Sequence, residues 1–204
     1  MHLMIDIETG GTTPGCANFS IGACCFTPYE VVKPVEYFYI EINHQSCQDL
    51  GLRLETSTME WWKDQPRIPE SEQSIEYALK EFMLWIARLP NKLGERITHI
   101  WANSPSFDLV IIKYALTLCE IRWDHPFWVE RDVRTLKAIA WPNNDYRGDE
   151  NSHNAVEDAI NQTRLVQHSY LKLGLSHDHN STSPFHRNQP KPSSIQDERE
   201  CPRL

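Results

Sequence analysis

An α/β fold with a mixed sheet is predicted by two features of the chain: three short apolar runs separated by turn residues come first, and helical periodicities alternate with further strand-like runs after them. Residues 2–8 form the first run and end at the Thr9-Gly10-Gly11 turn; residues 19–26 and 35–42 form the next two, and their succession predicts an antiparallel meander. Thr56 or Ser57 caps a short helix carrying Met59, Trp61 and Trp62, which stops before Pro66. Ser71 or Ser74 opens a longer helix, with Ile75, Leu79, Phe82, Ile86 and Leu89 at helical spacing as far as Pro90. Residues 97–102 then read as a fourth strand, and residues 104–120 as a helix with Leu109, Ile112, Leu116 and Cys119 on one face. Phe127 to Val129 reads as a brief strand, followed by a short helix over 133–140. Residues 154–173 form a long amphipathic helix, with Gly174 as its C-terminal cap. Residues 1–175 make one domain, whereas 176–204 are polar, carry four prolines and lack apolar periodicity, which predicts a disordered tail.

The net charge of −8 argues against a protein that coats nucleic acid through a broad basic surface. It leaves room for a nucleic-acid enzyme, because bound divalent cations dominate the local charge of a carboxylate-rich site. Cys16, Cys24, Cys25, Cys47, Cys119 and Cys201 show neither a C-x-x-C pair nor a compact scaffold spacing, so reduced thiols are expected. The opening MHLMIDIETGG has no basic flank and no apolar h-region, and Lys113 interrupts the best apolar stretch. A soluble, cytoplasmic protein with no membrane association is expected.

Three constellations carry chemistry. In Asp6-x-Glu8, at the end of the first strand, residues two apart face one side, so both carboxylates project into one site while Ile5 and Ile7 enter the opposite layer. Such a pair suits a hard cation such as Mg²⁺ or Mn²⁺, which also removes the repulsion between two adjacent acids. Asn103-Ser-Pro-Ser-Phe107-Asp108 opens a helix, and taken alone it reads as a cap with an acid favoured by the helix dipole. His153-x-Ala155-x-x-Asp158 opens the last helix, and alone it too reads as a capping segment followed by a solvated acid.

Taken together and in this order, the three motifs resemble the DEDDh branch of the DnaQ-like 3′-5′ exonucleases, over about residues 1–173. The resemblance implies a ribonuclease-H-like mixed five-stranded sheet flanked by helices. It implies that Asp6, Glu8, Asp108 and Asp158 bind two divalent ions, Mg²⁺ or Mn²⁺, and that His153 is the general base. The related branch with a tyrosine four residues before the last Asp is disfavoured, since Asn154 stands there. The string Ser57-Thr58-Met59-Glu60-Trp61-Trp62-Lys63, with Phe127-Trp128 and Arg131-Asp132-Val133-Arg134-Thr135-Leu136, is similar to the exodeoxyribonuclease A group of T-even phages and prophages. A mycobacterial exoribonuclease group is similar as well. The leucine that follows Thr-Gly in many such proteins is Gly11 here.

The reaction implied is displacement at the last phosphodiester of a single-stranded 3′ end, with DNA favoured, releasing 5′-mononucleotides. Thr9, Gly10, Asn103 and Phe107 are the expected substrate contacts, Phe107 by stacking on a base, although packing of its helix on the sheet is an equal reading. Trp61 and Trp62 are adjacent and face different directions, so one is expected in the core and the other along the strand channel. Arg131 and Arg134 reach toward phosphate or pair with Glu130 or Asp132, and the His177-Asp178-His179 cluster reads as solvated. Relatives in this branch are often dimers, so a homodimer is compatible with the resemblance. Two alternatives stand beside this reading: an exoribonuclease trimming RNA 3′ ends by the same chemistry, and a catalytically silent nucleic-acid-binding module. The silent module would be marked by loss of a carboxylate or of the histidine, and none is missing.

Overall fold

The computed structural model describes residues 1–148 and 153–176. The three N-terminal runs form the expected meander: β1 (His2–Thr9), β2 (Asn18–Phe26) and β3 (Glu36–Glu41) pair antiparallel in chain order. β4 (His99–Ala102) pairs parallel to β1, and β5 (Glu130–Asp132) parallel to β4, which gives a mixed five-stranded sheet in the order β3-β2-β1-β4-β5. The helices are α1 (His44–Asp49), α2 (Thr56–Trp62), α3 (Ile75–Leu93), α4 (Asp108–Leu118), α5 (Val133–Ala140) and α6 (Ala155–Lys172).

β1 is central and buried along its whole length, because alternate residues serve two layers. Leu3, Ile5 and Ile7 join the core that contains Leu79 and Phe82 of α3 and Leu109 and Ile112 of α4. Met4 joins a second cluster with Cys24, Trp101 and, from α6, Ala159 and Val166. Asp6 and Glu8 share the parity of Met4 and therefore fall on the α6 side of the sheet. Asp6 faces Gly22 across the β1–β2 ladder. A Cβ at Gly22 would lie 2.1 Å from the carbonyl carbon of Ala155 and 2.2 Å from the nitrogen of Val156, so the missing side chain lets the N-terminus of α6 rest on the sheet.

Several elements differ from the sequence reading. α3 runs through Pro90 to Leu93 and ends at Gly94, whose φ of 70° is left-handed; buried Leu89 holds the last turn although proline withholds one donor. Phe127–Val129 is a 3-10 turn, and the strand is the charged Glu130–Asp132 that follows, where no apolar alternation could mark it. α4 begins at Asp108, after a turn in which the Ser104 carbonyl accepts from the N–H groups of Phe107 at 2.8 Å and Asp108 at 3.0 Å. Neither Ser104 nor Ser106 caps that helix; their hydroxyls pair with each other at 2.9 Å. α2 starts at Thr56 itself, after Glu55, whose carboxylate accepts hydrogen bonds from Thr12 and Thr13. α1 was not anticipated; Asn43 caps it by accepting from the Ser46 N–H at 2.8 Å.

The end of α6 follows the expectation. Gly174, at φ 65°, donates to the Leu171 carbonyl while Leu175 donates to that of Tyr170, which is a Schellman closure. The tail expected over 176–204, with its His177-Asp178-His179 cluster, lies outside the described residues from 177 onward. Cys16, Cys24, Cys25, Cys47 and Cys119 carry free thiols. Among the described residues no helix is long and apolar enough to cross a membrane.

Candidate active site

Three chain segments deliver the acids to one place. β1 supplies Asp6 and Glu8, and its ladder with β2 shifts register between Glu8 and Thr9, the irregularity that ends regular pairing beside the acids. α4 brings Asp108 in its first turn, and α6 brings Asp158 in its own. Helix N-termini carry partial positive charge, so both acids sit where a carboxylate is favoured. Asn154 caps α6 by accepting from the N–H groups of Val156 and Glu157, and His153 just before it turns the chain at φ 53°. This left-handed step is uncommon for a residue with a side chain. It places the imidazole with Glu8 and Asp158, whose ligand atoms and those of His153 all lie within 4.8 Å of one another.

All four carboxylates are buried. They line a cavity of about 150 Å³ together with Asn103, Phe107, Arg134, His153 and Gln162. Burial raises the pKa of Asp6 well above the ordinary carboxylate range, and the charges of Asp108 and Glu8 add to it, against a hydrogen bond from Gln162. Glu8 is pushed up to about 8 by burial and then by Asp158 and Asp108. Asp108 is pushed up to about 6 by burial, relieved by hydrogen bonding from the Ser104 backbone and by the charge of Arg134. Four acids this buried and this close together require either protons or cations. The donors are hard carboxylate oxygens with one imidazole, so the residues fit Mg²⁺ or Mn²⁺.

A groove of about 370 Å³ adjoins the cavity and shares Ile7, Glu8 and Phe107 with it. Trp62 is buried, and its indole N–H donates to the Thr9 carbonyl at 2.8 Å. Trp61 is exposed, lines the groove and meets the His153 ring edge-on, with centroids 4.8 Å apart. Of the expected substrate contacts, Asn103 and Phe107 line the cavity and Thr9 lines the groove, with its hydroxyl committed to the Gly11 carbonyl at 2.6 Å. Gly10 is not brought to either opening. Its N–H donates to Ala17, its carbonyl accepts from Glu55, and a Cβ there would lie 2.6 Å from Leu54. Gly11 lines the groove instead, and a side chain there would strike Cys16 and Glu55.

Sequence reasoning missed Gln162, whose amide donates to Asp6 Oδ1 at 2.7 Å and whose buried Oε1 has no hydrogen-bond partner among the described residues. Its spacing four residues after Asp158, on the same helical face, was the available signal. Gly22 was missed as well.

A family model described as the Rv2179c-like 3′-5′ exoribonuclease domain matches residues 1–170. No curated protein matches the chain. Among solved structures, cell-death related nuclease 4 (CRN-4) superposes with a TM-score of 0.54 at 12% identity, over 85% of this chain and 65% of that one. This chain thus spans somewhat less than two thirds of that protein. The nuclease domain of 3′hExo, a DEDDh family member bound to rAMP, superposes with a TM-score of 0.56 at 12% identity, over 85% of this chain and 92% of that one. At this identity the likeness concerns the fold, and the mixed five-stranded α/β architecture is shared.

Proposed function

Since the chain belongs to the Rv2179c-like 3′-5′ exoribonuclease domain family, and is thereby a 3′-5′ exonuclease, we propose that it removes nucleotides one at a time from single-stranded 3′ ends at the cavity between β1, α4 and α6. The observation that carries this assignment is the convergence of four buried carboxylates and His153 on one small cavity beside an open groove.

Asp6, Glu8, Asp108 and Asp158 would hold two divalent ions, Mg²⁺ or Mn²⁺. When bound, such ions stabilise the attacking and leaving oxygens of an in-line displacement at phosphorus. The chain's own work is positional. His153, beside Glu8 and Asp158, takes a proton from the attacking water, a task suited to imidazole near neutral pH. The water oxygen bonds to phosphorus, the bond to the 3′ oxygen of the shortened strand breaks, and a 5′-mononucleotide is released. Trp61, Phe107 and Thr9 line the groove that would take the terminal nucleotide.

DNA is the strand favoured by the likeness to phage and prophage nucleases, which rests on the strings at residues 57–63 and 127–136. The description of the matching family supports a second reading, trimming of RNA 3′ ends. A cytoplasmic setting is supported by the cysteine spacing, which offers neither a C-x-x-C pair nor a compact disulfide scaffold. Incubation of the purified protein with end-labelled single-stranded DNA, single-stranded RNA and duplexes, with Mg²⁺ or Mn²⁺, tests the proposal. Stepwise shortening from the 3′ end with release of 5′-mononucleotides is expected, and the relative rates on DNA and RNA assign the sugar. Intact strands under all conditions, or internal cuts, would overturn it.

A further inference from the structure

The two arginines near β5 have different fates. The Arg131 guanidinium donates to the peptide oxygens of Trp128 at 2.7 Å and Glu130 at 2.8 Å, and so is spent on the turn that leads into β5. Arg134 is exposed in the first turn of α5 and lines the carboxylate cavity. Its guanidinium makes no hydrogen bond or ion pair with the described residues, whereas Lys80, Lys92, Lys113 and Arg67 are each paired with a carboxylate. It is the one arginine or lysine among the described residues that line the cavity. Its backbone is fixed: its N–H meets the Asn103 carbonyl at 3.4 Å, and Asp132 caps α5 by accepting from Thr135 at 2.7 Å. A permanently charged fork is thus held at the rim by a rigid base, within electrostatic reach of Asp108 but in no ion pair with the described residues.

Its position within the site is asymmetric. Glu8, His153 and Asp158 gather on one side, where the attacking water is expected, while the charge of Arg134 is felt at Asp108. Resting on the exonuclease reading above, we propose that Arg134 binds the phosphate of the leaving strand next to the scissile bond. A guanidinium matches two phosphate oxygens with parallel N–H donors and stays charged at every working pH. In a chain with a net charge of −8, such a local contact is what opposes general repulsion of the strand. Arg134 therefore acts on binding of a strand with at least two linkages at its 3′ end and has little part in the chemistry at the first.

The test compares wild type, Arg134→Gln and Arg134→Lys on two oligonucleotides, one natural and one with a neutral methylphosphonate at the penultimate linkage. Steady-state cleavage gives kcat and KM, fluorescence anisotropy gives Kd for the same strands, and thermal unfolding reports the fold. Loss of a hydrogen bond to a charged partner predicts a KM and Kd for Arg134→Gln raised about ten- to hundred-fold on the natural strand, with kcat changed less. The neutral linkage should weaken wild type by a similar factor and leave Arg134→Gln unaffected, with Arg134→Lys between them and all melting points alike. Wild-type Kd in Arg134→Gln, equal sensitivity of both proteins to the neutral linkage, or a loss confined to kcat would overturn the proposal. If wild type bound these strands without cutting them, the exonuclease reading would fail while the anisotropy comparison still decided the role of Arg134.

Discussion

Gln162 holds Asp6 through a 2.7 Å hydrogen bond from its amide to Oδ1, reaching it from one helical turn beyond Asp158. The bond fixes the rotation of a carboxylate at the centre of the acidic cluster and ties β1 to α6. Gln162→Ala is expected to keep the fold and lower turnover about tenfold, the scale of one lost hydrogen bond to a charged group. Gln162→Glu adds a fifth acid and should lower the metal-free melting point further than Gln162→Ala. Titrating Mg²⁺ against both activity and melting point checks this, and a half-maximal Mg²⁺ concentration unchanged in Gln162→Ala would count against a positioning role.

The metal-free protein should lose stability as pH rises. Glu8 carries an ordinary carboxyl pKa of 4.5 when unfolded and about 8 when folded, and Asp108 moves the same way, from 3.8 to about 6. The native form then binds more protons than the unfolded chain, so the stability is fully present below about pH 4.5 and is lost as pH rises through about 8. Scanning fluorimetry in chelator should show a falling melting point across this window, a flatter slope in Glu8→Gln, and greater restoration by Mg²⁺ at pH 8 than at pH 6. A melting point that rose through the window would contradict the burial argument.

Asp6→Asn and Asp158→Asn should each remove nearly all turnover, because groups that act as one unit do not contribute in fractions. Their metal-free melting points should rise, and the Mg²⁺-induced shift should shrink. Equal Mg²⁺ stabilisation of wild type and both variants would place the cation elsewhere.

His153→Ala should lower turnover about 10²- to 10⁴-fold, the usual contribution of a general base, with strand affinity and the Mg²⁺-induced shift retained. Single-turnover kinetics on a saturating strand isolates the chemical step. Wild-type rates in that assay would return His153 to a surface turn residue packed on Trp61.

Gly22→Ala should cost about 1–3 kcal/mol or more, as overpacking does, because the added methyl meets Ala155 backbone that cannot rotate aside. Lifting the start of α6 also withdraws His153 and Asp158, so activity should fall further than the melting point alone explains. Normal kcat in a Gly22→Ala protein that still folds would separate this glycine from the site.

Much of this architecture was legible where one element satisfies one pattern. The alternation along β1 assigned Ile5 and Ile7 to one layer and Asp6 and Glu8 to the other, and the structure divides them that way. The periodicity of α6 and its Gly174 stop were equally plain. What escaped depends on partners distant in sequence. β5 is three charged residues that become a strand only by pairing with β4. Gly22 has its meaning only against Ala155, and Gly10, read as a substrate contact from its place in the motif, is spent on packing beneath Leu54 and Phe19.

The order in which the site is completed has a consequence during synthesis. A nascent chain that has emerged as far as residue 148 already carries Asp6, Glu8 and Asp108, but neither His153 nor Asp158. The sheet can form by then, since all five strands precede that point. On the proposed assignment, the site is complete only once the last helix has left the ribosome and settled against Gly22. On that assignment, products that end before residue 153 lack two of the five site residues and are expected to be inert toward strand ends, a safeguard written into the order of the elements.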